Sequence, residues 1–280
     1  MTSHGDPVPA VKEADAVGLV ADVFDDIRIG LGTSSVNLVW RHLATMPGAL
    51  EWCWHAVSPV IYSGELLQTT ESYRQNLRTP RLPSFPSCVL ESAGLSSADL
   101  ERIRSMLRGY LVSCSMNILS LNAVLLVLDG RASGVSTRGR KPAGPVTVPM
   151  QRMARLLSPS EMPGPVARLA AEMNSLGETG DGRILASLYR YLANWPTFMA
   201  LAWVLIRPLH DSGWLHVAAR GALGAADAEA QVIAPRLYTG APPLEGTVVA
   251  AMRPALQDFS RNAIAKVIPI TAALLGALEA

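Results

Sequence analysis

The sequence predicts an all-α protein built from two tandem, pseudo-symmetric helical repeats, and three observations carry that reading. The block WRHLATMPGALEWCWHAVSP, residues 40–59, returns 149 positions later as YRYLANWPTFMALAWVLIRP, residues 189–208. Arg41, Leu43, Ala44, Pro47, Trp54 and Pro59 recur as Arg190, Leu192, Ala193, Pro196, Trp203 and Pro208, and the same offset pairs Tyr110 with Phe259, Ala123 with Ala272 and Leu126 with Leu275. Apolar residues recur at helical spacing, and no stretch alternates as a strand would. A single duplication favours two halves packed together over an open solenoid, which needs three or more shorter units. Any site is therefore expected between the halves.

Residues 1–12 read as a disordered lead, 13–129 as the first repeat, 130–165 as a Gly- and Pro-rich linker and 166–280 as the second repeat. Val17, Leu19, Val20, Val23, Phe24, Ile27 and Leu31 predict a first helix, stopped at Gly32-Thr33-Ser34. A second runs from about Ser35 to Thr45. Pro47 suits the first turn of a third, which carries Leu50, Cys53, Trp54 and Val57 and ends near Pro59. A fourth is expected from about Ser63 to Leu77, followed by an extended proline-rich connection around Pro80-Arg81-Leu82, which has an echo at Pro235-Arg236-Leu237. Ser96 and Asp99 form a capping box for a long helix from about Ala98 to Asp129. The linker holds one expected short helix near Gln151 to Leu157. The second half repeats the plan near Val166 to Leu176, Arg183 to Ala193 (with Asp181 as its cap) and Pro196 to Ile206. One or two helices follow between His210 and Ile233, then Leu244 to Ala280 broken at Pro254 and Pro269. Trp40, Trp54 and Trp203 read as core.

With 280 residues the chain can bury a large core. Net charge of +1 with 17% charged residues carries no nucleic-acid footprint. Cys53, Cys88 and Cys114 are odd in number and irregularly spaced, which argues against a disulfide framework and for a reducing cytoplasm. The N-terminus lacks the apolar core of a secretory signal. Gly109 to Leu128 is uncharged and long enough to span a membrane, yet carries Ser113, Ser115, Asn117, Ser120 and Asn122, so a buried helix is expected and no membrane partner. No phosphate loop, dinucleotide fingerprint or metal-ligand spacing is present; neither cofactor nor metal is expected.

At VNLVWRHLATMPGALEWCW and its echo LYRYLANWPTFMALAW, with DIRIGL upstream and the segment from Asp99 to Leu126, the chain resembles the group I 2-haloacid dehalogenases, the DehI family. That resemblance implies a two-repeat all-helical fold, a pocket for a small molecule at the repeat interface, and a homodimer. It also marks departures. The family's water-activating aspartate falls at Leu188, directly after Ser187; its helper asparagine falls at Cys114, a pocket tyrosine at Asn117, and an aromatic pair at Ser35 and Leu38. Leucine has no lone pair to accept a proton, and Asp181, two helical turns before Leu188, is too far along the axis to replace it. Glu178 and Asp258 have no better claim.

The matched positions outline the expected site. Ser187 with Tyr191, and Ser35, Leu38 and His42, occupy equivalent turns of the two repeats. Cys114 and Asn117 face together from the long helix, and Phe259, Asn262, Ala263 and Lys266 form one stripe of the last. Asn117, Tyr191 and Lys266 are the candidates for chemistry. Lys266 is either a cation or amine in the pocket or a surface lysine on an exposed stripe. His42 is either a general base or a hydrogen-bonded interface histidine. Cys114 is either an activated thiol or a small buried hydrophobe. Arg41 and Arg190, repeated symmetrically, suit structural ion pairs. An enzyme lacking an activated water suits isomerase, lyase or cyclase chemistry, as in secondary metabolism. The alternatives are a dehalogenase with a rearranged acid and a non-catalytic binding protein.

Overall fold

The structure, a computed structural model, describes residues 6, 8–135, 148–177, 184–241 and 243–279. Among these there are twelve α-helices and no β-strand, only the isolated bridges Thr33 to Gln151 and Val135 to Tyr238. The repeat is visible in the helix ends. Helix α2 (Leu38–Leu43) matches α8 (Ser187–Leu192), α3 (Ala49–Tyr62) matches α9 (Pro196–Asp211), and α4 (Glu65–Gln75) matches the start of α10 (Trp214–Ile233), all near the 149-residue offset. The uninterrupted α6 (Ser97–Leu128) corresponds to α11 (Gly246–Asp258), a π-helical turn (Phe259–Ile264) and α12 (Ala265–Glu279) in succession. Helices α1 (Leu19–Leu31), α5 (Ser87–Ser92) and α7 (Gly164–Ser175) complete the set.

Local chemistry explains several boundaries. Gly32, in the left-handed region at φ 62°, ends α1. The Ser96–Asp99 capping box starts α6 as expected. The helices α3 and α9 run past Pro59 and Pro208 rather than stopping there, because a proline removes only its own N–H. Its carbonyl still accepts, from Ser63 N and Ser212 N respectively, both at 3.0 Å. For the same reason the last segment is not broken at Pro254 or Pro269, which lie inside α11 and α12; its irregularity is the π turn between them. No helix forms over Gln151 to Leu157, where the chain has no regular structure beyond the bridge at Gln151, whose N donates to Gly32 O at 2.8 Å. Asp181 and Glu178 lie outside the described residues.

The core centres on α6, packed against α10 and α12. Trp40 and Trp54 stand edge to face with centroids 5.5 Å apart, both buried. Trp203, expected in the core, is half-buried with the Arg207 guanidinium 5.9 Å from its ring centre. Two stretches, Ser97–Leu128 and Gly246–Glu279, are long and apolar enough to cross a membrane, and 78% of the most apolar window of each is buried inside the protein. Residues 8–12, read from sequence within a disordered lead, pack on α2, with Val11 N donating to Arg41 O at 3.0 Å.

Candidate functional site

A cavity of about 30 Å³ lies where the N-terminal ends of α2 and α8 meet the middles of α6 and the π turn. Four repeat-equivalent pairs line it: Asn37 with Ala186, Leu38 with Ser187, Tyr110 with Phe259, and Cys114 with Ala263. The cavity therefore sits on the pseudo-two-fold axis. It has room for about two waters, so a larger ligand must turn wall side chains aside. No Asp, Glu, Lys, Arg or His lines it among the described residues.

Two polar atoms at this cavity lack partners. Asn117, buried in α6, accepts from Trp40 Nε1 at 2.9 Å, while its Nδ2 has no acceptor. Asn37, the residue before α2, has an Oδ1 without a donor. Buried polar groups are rarely left so. A third group is close by: Tyr191 Oη and Ser35 Oγ are 2.7 Å apart, and the Tyr191 ring meets the Tyr110 ring edge-on at 6.0 Å.

Leu188, Tyr110 and Cys114 cluster at the place where the resemblance puts the water-activating groups. The Tyr110 hydroxyl stands close to both the Leu188 backbone N–H and the Cys114 thiol. Leu188 itself is fully buried. Burial pushes the Cys114 thiol up to about 12, against a smaller opposing effect of the neighbouring Tyr110 hydroxyl, so no thiolate forms at neutral pH. Burial likewise raises Tyr191 to about 12, and Tyr110 well above the usual phenol range. Glu13 lies near Tyr191 but is engaged by Arg28 at 2.7 Å and by Val36 N at 3.0 Å.

Of the residues singled out in the sequence, Leu38, Cys114, Asn117, Ser187, Phe259 and Ala263 come together at the cavity. Ser35 and Tyr191 stand beside it, bonded to each other. His42 and Asn262 face elsewhere, on a separate open cleft of about 590 Å³ that also includes Asp258. His42 Nδ1 is 2.6 Å from Pro9 O and its ring is 5.7 Å from that of Phe259. Lys266 is not on a surface stripe: it is buried, and its ammonium donates to the Asn174 carbonyl. Asn174 in turn accepts from Ala186 N at 3.0 Å and donates to Ile184 O at 3.2 Å. Lys266 therefore stands behind the cavity wall rather than in it. Asn37, Val39, Ile184, Ala186 and Ile264 line the cavity without having been singled out. The constant repeat offset relates Ala186 to Asn37, but no residue type or spacing in the sequence distinguished either, or Ile184 or Ile264.

No protein-family model matches the chain, and no curated protein matches it. Solved structures do. A D-2-haloacid dehalogenase mutant superposes with a TM-score of 0.76 at 14% identity, over 99% of this chain and 97% of that one. The chain has the fold of the D-2-haloacid dehalogenases. A D-2-haloacid dehalogenase with L-LA superposes at 0.71 and 14% identity, over 99% of this chain and 98% of that one. A mutant of that enzyme type with D-2-CPA gives 0.70 and 12%, over 99% and 96%. On this dehalogenase fold the two halves meet at the cavity, and the chain there carries leucine and cysteine where the resemblance expects the carboxylate and its helper.

Proposed function

We propose that the protein is an enzyme that binds a small or medium organic molecule at the inter-repeat cavity and does not hydrolyse carbon–halogen bonds. The observation that carries this reading is Leu188. A fully buried hydrocarbon side chain has no lone pair with which to take a proton from water or orient one. The chemistry then rests on placement and on neutral hydrogen-bond donors, which suits an isomerisation, elimination or cyclisation requiring no activated water. In this reading Asn117 Nδ2 and the Tyr191 hydroxyl contact the ligand, and Lys266 is a positioning residue acting through Asn174. Ser187, Leu38, Phe259 and Ala263 shape the walls. A cytoplasmic homodimer completes the proposal; light scattering on the purified protein, 29.9 kDa per chain, tests the assembly.

A second reading, a non-catalytic binding protein, is favoured by one feature: burial keeps Tyr110, Cys114 and Tyr191 all protonated at neutral pH. Ligand recovered unchanged from the purified protein would favour that reading.

Halide release from each enantiomer of 2-chloropropionate tests the central claim. We expect no release above a protein-free control. Release that persists in a Leu188→Ala variant would mean that a different acid primes water, and would overturn the proposal.

A further inference from the structure

On the other side of α6 from the inter-repeat cavity, a cleft of about 290 Å³ opens between α4, α6 and linker residues 148–151. Its walls are tightly built. A Cβ on Gly109 would come within 2.6 Å of Gln151 Cβ, and one on Gly32 within 2.6 Å of Val148 Cγ1, so the linker is seated where only glycine leaves room. The main-chain bond from Gln151 N to Gly32 O and one from Met153 N to Ser34 Oγ at 3.0 Å fix it there.

Two residues one helical turn apart on α4 reach this cleft without partners. Thr70 is fully buried, and its hydroxyl makes no hydrogen bond. Its neighbour Thr69 bonds back to Glu65 O at 2.9 Å, the usual outlet for a helical threonine. Thr70 does not use the corresponding carbonyl. Arg74, half-buried, has an Nε with no acceptor, and its guanidinium forms no ion pair among the described residues. Burial lowers its pKa; Glu71 and Glu279 oppose that through their fields but are not bonded to it. Arg108, on the facing wall, is held by Glu279 at 2.7 Å and adds no free charge. Glu71 and Gln151 also border the cleft, and the rest of its wall includes the apolar Leu31, Leu67, Val112 and Val148.

We infer that this cleft binds a small carboxylic acid with a short apolar tail, its carboxylate taken by Arg74 and the Thr70 hydroxyl and its tail by the α1, α4 and α6 side chains. A guanidinium and a hydroxyl left unsatisfied at the same wall are the donors a carboxylate accepts from. The volume, about 290 Å³, lies just below the range usual for small-molecule sites, about 300–1,000 Å³. This site is separate from the inter-repeat cavity and does not depend on its function.

The test is calorimetric titration of the intact protein with hexanoate, 1-hexanol and inorganic phosphate. Hexanoate should bind saturably. Arg74→Gln should weaken it by about tenfold or more, as expected for losing a charge-assisted contact. Hexanol should bind no better to the wild type than hexanoate binds to that variant. Thr70→Val, which keeps the shape and removes the unpaired hydroxyl, should weaken hexanoate several-fold while leaving the melting temperature unchanged or higher. That combination separates a ligand contact from a structural one, and it carries the test alone if Arg74→Gln does not fold. Absence of hexanoate binding, unchanged affinity in Thr70→Val, or tighter binding of phosphate than of hexanoate would each overturn the inference.

Discussion

Arg41 and Arg190, equivalent residues of the two repeats, grip opposite oxygens of a single carboxylate, that of Asp6. Arg190 Nη1 is 2.7 Å from Asp6 Oδ1, and Arg41 Nη2 pairs with Oδ2. All three side chains are at most 7% exposed. The arrangement continues symmetrically: Arg41 Nε donates to Val11 O at 2.9 Å and Arg190 Nε to Leu157 O at 2.8 Å. A residue outside both repeats thus joins them at their axis.

Removing that carboxylate leaves two buried guanidinium groups facing each other. Asp6→Asn should lower the unfolding free energy by about 3–5 kcal/mol, the usual penalty for breaking a buried ion pair from one side. Urea denaturation followed by circular dichroism measures it. Replacing Arg41 with Met in the same chain should recover part of the loss, since the uncompensated charge is then removed.

Alkaline pH should unfold the protein. The folded pKa values of Tyr191 and Cys114 are raised above their unfolded values, so the stability they contribute is complete below the unfolded pKa and lost as pH rises toward the folded one. For Tyr191 the window runs from 10.0 to about 12, and for Cys114 from 9.0 to about 12. Each group should remove about 1.4 kcal/mol per pH unit within its window. Urea midpoints measured between pH 8 and pH 11 check the slope.

The thiols should divide by burial. Cys88 is exposed, whereas Cys53 and Cys114 are buried, and burial raises both of their pKa values. A thiol reagent should modify one cysteine quickly in the native protein and all three in denaturant, with mass mapping placing the fast site at Cys88.

Asn117→Ala should reduce ligand affinity or turnover at the inter-repeat cavity by about tenfold or more. It also leaves Trp40 Nε1 without its acceptor, so a stability loss of about 1–3 kcal/mol should accompany it. Asn117→Asp retains an acceptor for Trp40 but no amide donor; recovery of stability without recovery of binding would identify Nδ2 as the contacting atom.

Lys266→Met should lower stability by about 1.5–3 kcal/mol through the lost bond to the Asn174 carbonyl. If Lys266 only positions Asn174 and with it Ile184 and Ala186, affinity for ligand should fall together with turnover, and the pH dependence of turnover should keep its shape. A shifted pH profile would instead put the ammonium in the reaction.

Much of the architecture was legible because duplication leaves a constant offset, and the offset survives in the helix ends: Ser97 starts α6 and Gly246 starts α11, 149 positions later. The cavity was legible for the same reason, since equivalent positions meet at the axis. Lys266 was not. It is the repeat equivalent of Asn117, so a constant offset places it in the cavity beside its counterpart. Between Phe259 and the end of the cavity wall, however, the second copy carries a π turn that the first lacks. One residue more per turn rotates everything after it by about 100°. Cys114 and Ala263 still face each other across the cavity, but Lys266 has swung onto Asn174. Hydrophobic spacing read at 3.6 residues per turn cannot register such a change. Pro59 and Pro208 misled in the opposite direction, because a proline near the end of a helix removes one bond without ending the helix.

The π turn also decides what kind of space the protein encloses. Two identical halves meeting at an axis would offer a bound molecule two indistinguishable poses, related by the two-fold rotation. With an amide at one end and no counterpart at the other, those poses differ in energy. The enclosure is polarised from one half to the other, and an unsymmetrical guest held there has its two ends told apart before any bond changes.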